Sequence, residues 1–227
     1  MTDETAVRTQ LFNYIVDNRI SHALTLINSH NDIYKAGYKC GAATGRFDSL
    51  IYSVIYSRHE IALALINKHV YLDSYYRNGQ TALHYACKHH EMNIACALIK
   101  NGANVNLADS YKYTPLSWIC IYDDIDIAIA IAMIDKGANV NLKDENNNSP
   151  FSIVCKKQKR NYDLIIYMII HDADVTALNG NIRQHVFKQY QQRVLDTINN
   201  SDDNPLKRSF RTTYVTGIID LICDFIL

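Results

Sequence analysis

Cysteine and histidine are the residues of this chain whose chemistry could support catalysis or metal binding. Six cysteines are present: Cys40, Cys87, Cys96, Cys120, Cys155 and Cys223. No two of them have the Cys-x-x-Cys spacing of zinc ribbons and thiol redox motifs. Cys87, Cys120 and Cys155 recur at one position of a repeated segment, where a single catalytic nucleophile would not be repeated. We therefore predict that these three are small buried core residues and that the thiols are free, as in a reducing compartment.

Other side-chain clusters lack the partners that their chemistry needs. The run His89-His90-Glu91 could suggest a metal site, but adjacent residues of a helix point in different directions, and no Cys/His set is spaced for zinc. The glycines at 37, 41 and 45 do not follow a predicted strand, so they do not read as a phosphate-binding loop. The Gly-x-Ser-x-Gly elbow of hydrolases is also missing from the sequence. We predict no enzyme activity, no catalytic residues, no metal and no cofactor.

The composition narrows the classes of partner. Of 227 residues, 23 are Lys or Arg and 23 are Asp or Glu, so the formal net charge is +0. A neutral chain has no general attraction to nucleic acid or to anionic lipid. The first four residues lack the pattern of a secretory signal, and no apolar run approaches the roughly 18 residues of a membrane span. We expect a monomer of the cytoplasm or the nucleus that binds a protein, and neither nucleic acid nor membranes.

A segment of the chain repeats, and this repeat decides the fold prediction. Residues 80–87 (QTALHYAC) align with residues 113–120 (YTPLSWIC) at an offset of 33, and residues 101–107 (NGANVNL) align with residues 136–142 (KGANVNL) at an offset of 35. Weaker copies lie on both sides. Five copies are predicted, near residues 9–29, 47–73, 78–107, 111–142 and 147–176.

Each copy has the local chemistry of two short helices. A Thr or Ser, such as Thr81, can cap the first helix, and Pro or Ala follows at the first helical position. The second helix is more apolar and ends at Gly102 or Gly137, where glycine can take the left-handed conformation. His69 and Asp172 replace this glycine in two copies, so we expect irregular helix ends there. No copy can bury its apolar face alone, and the copies must therefore stack.

These motifs resemble the ankyrin repeat. The resemblance rests on Thr-Ala-Leu-His-Tyr-Ala at 81–86, on Thr-Pro-Leu at 114–116 and on the Gly-Ala-Asn-Val-Asn that occurs twice, and it covers roughly residues 9–176. It implies an all-α solenoid and a structural role for His84, which would bond to neighbouring backbone. The small size and biased composition are similar to those of ankyrin-repeat proteins from poxviruses and intracellular bacteria, which target host proteins.

Residues 177–227 do not continue the repeat. Apolar residues spaced by four begin at Ile182 and Val186 and predict an amphipathic helix, and Ile218, Ile219 and Ile222 belong to the stripe of a final helix. We interpret this segment as a helical C-terminal cap that covers the last repeat. The alternative is a docking module, because Asn-Pro-Leu at 204–206 followed by an apolar helix is loosely similar to the F-box-like ends of some ankyrin proteins.

The ankyrin resemblance also implies a binding surface. In ankyrin stacks the turn tips and the exposed side of the first helices line a concave face, and tyrosine is a frequent anchor in interfaces. The predicted partner-binding residues on this face are Tyr56, Tyr75, Arg77, His89, Tyr111, Tyr113, Tyr122, Lys156 and Lys157. The alternatives are that tyrosine is merely abundant, with 16 copies, and that the basic run 156–160 is a solvated helix end, an acidic-partner site or a nuclear-import patch.

The sequence therefore predicts a non-enzymatic module that binds a partner protein through its concave face and modulates a host protein. Two alternatives belong to different classes. One is a substrate adaptor that recruits a ubiquitin ligase through its C-terminal tail. The other is an inhibitor of a Rel-type transcription factor. Residues 1–176 would form the ankyrin-repeat domain, and residues 177–227 the capping or docking segment.

Overall fold

The computed structural model describes residues 2–30, 48–157, 161–178, 180–186 and 188–189. The chain forms two compact units, Met1–Leu178 and Asn179–Leu227. In the second unit residues 180–186 are helical, and Ile182 and Val186 are buried. The predicted helices beyond residue 190, with the stripe Ile218, Ile219 and Ile222, lie outside the described residues. So do the segment 31–47 and the cysteines at 40 and 223.

The first unit consists of consecutive pairs of short antiparallel helices. In chain order they are α1 Thr2–Val16, α2 Ile20–Ser29, α3 Ser49–Ile55, α4 His59–Asn67, α5 Ala82–Lys88, α6 Met92–Lys100, α7 Pro115–Ile121, α8 Ile127–Asp135, α9 Pro150–Lys156 and α10 Tyr162–Ile170. Besides these helices, the described residues contain two short 3-10 turns and one isolated β-bridge, between Tyr75 and Thr81. The expected all-α class is confirmed.

The helix pairs stack in two layers. Each first helix packs on the next first helix, in the order α1, α3, α5, α7 and α9, and each second helix packs on the next second helix. The core between the layers is aliphatic, with Leu83, Ile94, Leu98 and Leu116 at most 1% exposed. Burying one such side chain contributes roughly 1.5–3 kcal/mol to folding. Because every pair shares its core with its neighbours, the stack is a solenoid, as expected.

The predicted capping residues begin the first helices. The hydroxyl oxygens of Thr81, Thr114 and Ser149 accept hydrogen bonds from the backbone amides three residues later, at 3.4, 3.2 and 3.1 Å. Pro115 and Pro150 occupy the first helical position, where a missing amide donor costs nothing. These three caps fix the residue at which each helix starts. The starting residue in turn determines which side chains of the helix face the neighbouring repeats.

The second helices end in the left-handed conformation with or without glycine. Gly102 and Gly137 have φ of 88° and 83°, and His69 and Asp172 have φ of 54° and 64°. The backbone amide of His69 donates to the carbonyl of Ile66 at 2.9 Å, just as the Gly102 amide donates to Ile99 at 3.2 Å. The expectation of irregular ends at His69 and Asp172 is therefore wrong, because both residues adopt the left-handed conformation that glycine adopts in the other copies.

The asparagines of the repeated Gly-Ala-Asn-Val-Asn motif connect one copy to the next. Asn106 donates from Nδ2 to the carbonyl of Gly137 at 2.8 Å and accepts the amide of Asn139 at 2.7 Å. Asn141 makes the same pair of bonds one repeat later, to Asp172 and Asp174, both at 2.7 Å. The motif therefore recurs because it satisfies backbone groups between the helices of successive repeats.

The repeated cysteines lie in the core of the first layer. Cys87, Cys120 and Cys155 are each the sixth residue of their helix, and they are 0%, 0% and 2% exposed. Their predicted burial is confirmed. Burial raises the pKa of the Cys120 thiol to about 12, and it raises the pKa of Cys87 as well. A thiol in this environment is not a nucleophile at neutral pH.

Candidate protein-binding surface

Three finger loops at residues 75–80, 108–113 and 143–148 project beside the first helices. Each finger is closed by a backbone bond across its base, from Asp109 to Tyr113 at 2.9 Å in the second of them. Adjacent fingers are joined as well, because the amide of Ser110 donates to the carbonyl of Asn78 at 2.7 Å. These bonds restrict the motion of the fingers. We define the concave face as the three fingers together with the exposed side of α3, α5, α7 and α9.

A buried carboxylate shapes the second finger. Oδ1 of Asp109 accepts the backbone amides of Tyr111 and Tyr113, both at 2.9 Å, and Oδ2 accepts Nε2 of Gln80 at 3.0 Å and Nε1 of Trp118 at 3.3 Å. Asp109 is only 5% exposed. All of its acceptor capacity is used within the fold, so it offers no free hydrogen-bond acceptor to a ligand, although it keeps its negative charge. The bonds hold Tyr111 at the tip of the finger.

The first finger uses aromatic residues where the second uses aspartate. Tyr76 occupies the position of Asp109, and its hydroxyl oxygen accepts the hydroxyl of Tyr52 at 2.9 Å. Burial and this hydrogen bond raise the pKa of Tyr52. The guanidinium of Arg77 lies 5.4 Å from the centre of the Tyr76 ring. The finger is thereby tied to α3 of the preceding repeat.

Six of the nine predicted partner-binding residues are exposed. Tyr56, Tyr75 and Tyr111 are 40%, 43% and 48% exposed. The other exposed members are Arg77, His89 and Lys156. Large aromatic side chains usually lose more of their surface on folding, so three of them in the open are available to a partner.

The remaining three predicted contacts are taken up by the fold. Tyr113 and Tyr122 are half-buried, so the expectation that both are exposed is wrong. The Tyr113 ring packs 5.2 Å from Trp118. The Tyr122 hydroxyl donates to the Lys88 carbonyl at 2.6 Å, and its ring centre lies 4.1 Å from that of His90. The Tyr113 side chain also bonds to Asn146 and Asp144 of the next finger, so both tyrosines contact an adjacent repeat.

Lys157 is likewise structural rather than free. Its ammonium group donates to the carbonyl of Ile121 at 3.2 Å, contacts the carbonyl of Tyr122 and lies 3.7 Å from Asp123. The side chain is 9% exposed. It satisfies carbonyls at the end of α7 that have no partner within the helix. The interpretation of Lys157 as part of an open basic patch is therefore wrong, and residues 158–160 of that patch lie outside the described residues.

Repeat spacing also marks an aromatic column that the sequence reading missed. The fourth residue of each first helix from α3 to α9 is Tyr52, Tyr85, Trp118 and Ile153, and all but Tyr85 are half-exposed. Lys88 covers the Trp118 ring, with 4.9 Å from Nζ to the ring centre. The signal was present in the sequence as aromatic residues spaced by 33.

The part of the chain that the structure describes offers no other kind of site. Within it, no group of three or more His, Cys, Asp or Glu side chains is arranged to hold a metal ion. Across the same residues, no helix combines the length and the apolar character that a bilayer crossing requires. His84, which could have been a ligand, is fully buried and bonded to backbone.

Two layers of stacked helices with an open face of fingers define a helical-repeat protein of the kind that binds other proteins. The family model for ankyrin repeats matches residues 20–109, in three copies. The chain therefore contains ankyrin repeats. The helices α7 to α10 lie beyond the match and continue the same geometry. No curated protein matches the chain. The fold and the family identify a protein–protein interaction module.

Proposed function

We propose that the chain binds a partner protein through its concave face and carries out no chemistry itself. The observation that supports this most directly is the pair of exposed tyrosines Tyr75 and Tyr111 on adjacent fingers. The Asp109 carboxylate and the finger-to-finger backbone bond hold them in place. A finger whose backbone is already ordered loses little conformational entropy on binding, which favours the use of its tyrosine as an anchor.

The proposed contact residues divide into two groups. Tyr56, Tyr75, Arg77, His89, Tyr111 and Lys156 are exposed and would touch the partner. Tyr113, Tyr122 and Lys157 would act indirectly, by holding fingers and first helices in register. Trp118 joins the first group, because it is half-exposed beside the second finger.

We further propose that the partner is a host protein met in the cytoplasm or the nucleus. This rests on the resemblance in size and composition to ankyrin proteins of poxviruses and intracellular bacteria. The ligase-adaptor alternative depends on the tail beyond residue 190, outside the described residues. Nothing among the described residues favours that role or inhibition of a Rel-type factor over a general partner.

The test is a binding titration against the partner that the full chain captures from host-cell extract. Tyr75→Ala combined with Tyr111→Ala should weaken binding about thirtyfold, as expected for loss of about 2 kcal/mol at a hot spot. Tyr71→Ala is the matched control, because Tyr71 is 47% exposed but lies in the loop after α4, outside the concave face. Unchanged binding by a folded double variant would rule out this face.

A further inference from the structure

The concave face carries more exposed positive charge than exposed negative charge. In the fingers 75–80 and 108–113 and the helices α3, α5 and α7, the basic residues are Arg77, Lys88, Lys112 and His84, and the only carboxylate is Asp109. His84 is buried, and Asp109 is 5% exposed with both oxygens hydrogen-bonded within the fold. This excess is local, because the whole chain has net charge +0.

The lysines of the face alternate with isoleucines along the stack. The seventh residue of each first helix from α3 to α9 is Ile55, Lys88, Ile121 and Lys156. Ile121 is 39% exposed, and Lys156 is exposed as well. This row runs beside the aromatic column, three residues further along each helix and so on the same helix face. A ligand lying along the stack would meet cation, apolar side chain and cation in turn.

Three basic side chains of the face contact neutral groups, so within the described part of the chain their positive charge is not paired with a carboxylate. Lys88 lies over the Trp118 ring, Arg77 lies over the Tyr76 ring, and Lys156 donates to the amide oxygen of Asn148 at 2.5 Å. Among the described residues, none of the three forms an ion pair. The fifth repeat adds two exposed cations, Lys143 and Lys156, together with the exposed carboxylate of Glu145 and the buried carboxylate of Asp144.

We propose that the concave face binds an acidic, apolar-anchored segment of a protein, held in extended form along the stack. Adjacent packed helices lie about 8–10 Å apart, so Lys88 and Lys156, two helices apart, are separated by roughly 20 Å. An extended chain advances about 3.3 Å per residue, so two acidic side chains roughly six residues apart would reach both lysines. An apolar or aromatic side chain between them would meet Ile121 and Trp118.

A protein segment fits this face better than a nucleic acid does. Nucleic-acid binding depends on neutralising many phosphates, whereas the row offers isolated cations separated by isoleucine. Asp123 and Asp124 are exposed just beyond the end of α7 and would repel a polyanion that extended past the row. The inference rests on the proposed function and adds the chemistry of the partner to it.

The test uses an immobilised random copolymer of glutamate and tyrosine as the probe. Wild-type protein should bind it, and Lys88→Gln with Lys156→Gln should bind at least tenfold more weakly. The matched control is Lys100→Gln with Lys136→Gln, which removes the same charge from exposed positions at the ends of α6 and α8. This control should bind as the wild type does. If the first double variant melts at a lower temperature, Lys156→Gln alone repeats the comparison on an exposed side chain.

Three outcomes would overturn the inference. They are equal losses in the two double variants, no binding of the copolymer by the wild type, and equally tight, Lys88-dependent binding of oligothymidylate. The proposed function is judged separately. If Tyr75→Ala with Tyr111→Ala still loses the captured partner while the lysine variants keep it, the groove binds a partner of other chemistry, and only the acidic segment is rejected.

Discussion

The imidazole of His84 in α5 donates from Nε2 to the backbone carbonyl of Tyr113, 3.1 Å away in the finger of the next repeat. Its Nδ1 accepts the backbone amide of Thr81 at 3.1 Å, so the ring has a single hydrogen-bonding arrangement when neutral. One buried side chain thus closes the cap of its own helix and fixes the neighbouring finger. The role implied for His84 by the ankyrin resemblance is confirmed.

His84 should make stability depend on pH. Burial lowers the pKa of His84 in the folded protein. As the pH falls from about 7.5 to about 5.5, the unfolded chain binds a proton that the folded chain does not, so the stability that the neutral ring contributes is lost. His84→Asn should cost about 1–3 kcal/mol at the higher pH. In urea unfolding, the gap between wild type and variant should narrow toward the lower pH, and a constant gap would contradict this account.

Glu91 links the second repeat to the third and should give a different pH dependence. Its carboxylate accepts the Ser57 hydroxyl at 2.5 Å and contacts Nε2 of His59. Burial alone would raise the pKa of Glu91, but these hydrogen bonds outweigh it and hold the pKa below its usual range. Glu91→Gln should therefore destabilise by about 1–2 kcal/mol near neutral pH. Glu60→Gln, on the exposed side of α4, should have little effect.

The lowered pKa of Glu91 determines the pH range in which its contribution to stability is lost. A carboxyl group with a lowered folded-state pKa contributes stability above its unfolded pKa and loses it as the pH falls through the folded value. The difference between wild type and Glu91→Gln should thus be complete above pH about 4.5 and shrink below it. Thermal melts at a series of pH values measure this. A difference that grew on acidification would show that the Ser57 and His59 contacts do not form.

The left-handed caps predict opposite effects for two substitutions. Gly102→Ala should destabilise by about 1 kcal/mol through backbone strain, because φ is 88° and the added Cβ meets nothing within 4 Å. His69→Gly should stabilise by about 0.5–1 kcal/mol, because His69 holds a φ of 54° that glycine adopts freely. Urea unfolding of both variants measures the two changes. A destabilised His69→Gly would show that the His69 side chain makes contacts that offset the strain.

Thiol labelling should distinguish the buried cysteines from the half-exposed one. Cys87, Cys120 and Cys155 are buried, whereas Cys96 is half-exposed. Of these four cysteines, iodoacetamide added to the native protein should modify Cys96 and leave the other three unmodified, and all six cysteines of the chain should react in guanidinium. Peptide mass spectrometry identifies the modified positions. Rapid native labelling of Cys87 or Cys120 would mean that the first layer opens far more often than its packing implies.

Local chemistry determined the repeat architecture from sequence alone. Thr81, Thr114 and Ser149 cap helices because their hydroxyls satisfy amides that no helix can satisfy internally, and this requires only neighbours in the chain. The 33- and 35-residue offsets then place Cys87, Cys120 and Cys155 at one core position without knowledge of any contact. The same local logic failed at His69 and Asp172, which adopt a left-handed backbone conformation that residues other than glycine disfavour.

Only the tertiary structure decided which side chains of the surface remain available. Tyr111 and Tyr122 look alike in the sequence, but the Tyr122 hydroxyl bonds to the Lys88 carbonyl of the preceding repeat, while Tyr111 stands at a finger tip. Lys156 and Lys157 are adjacent, yet Lys157 turns toward the carbonyls that end α7. The physical reason is that repeat register fixes where a side chain begins, whereas its burial depends on the groups that the next repeat places against it.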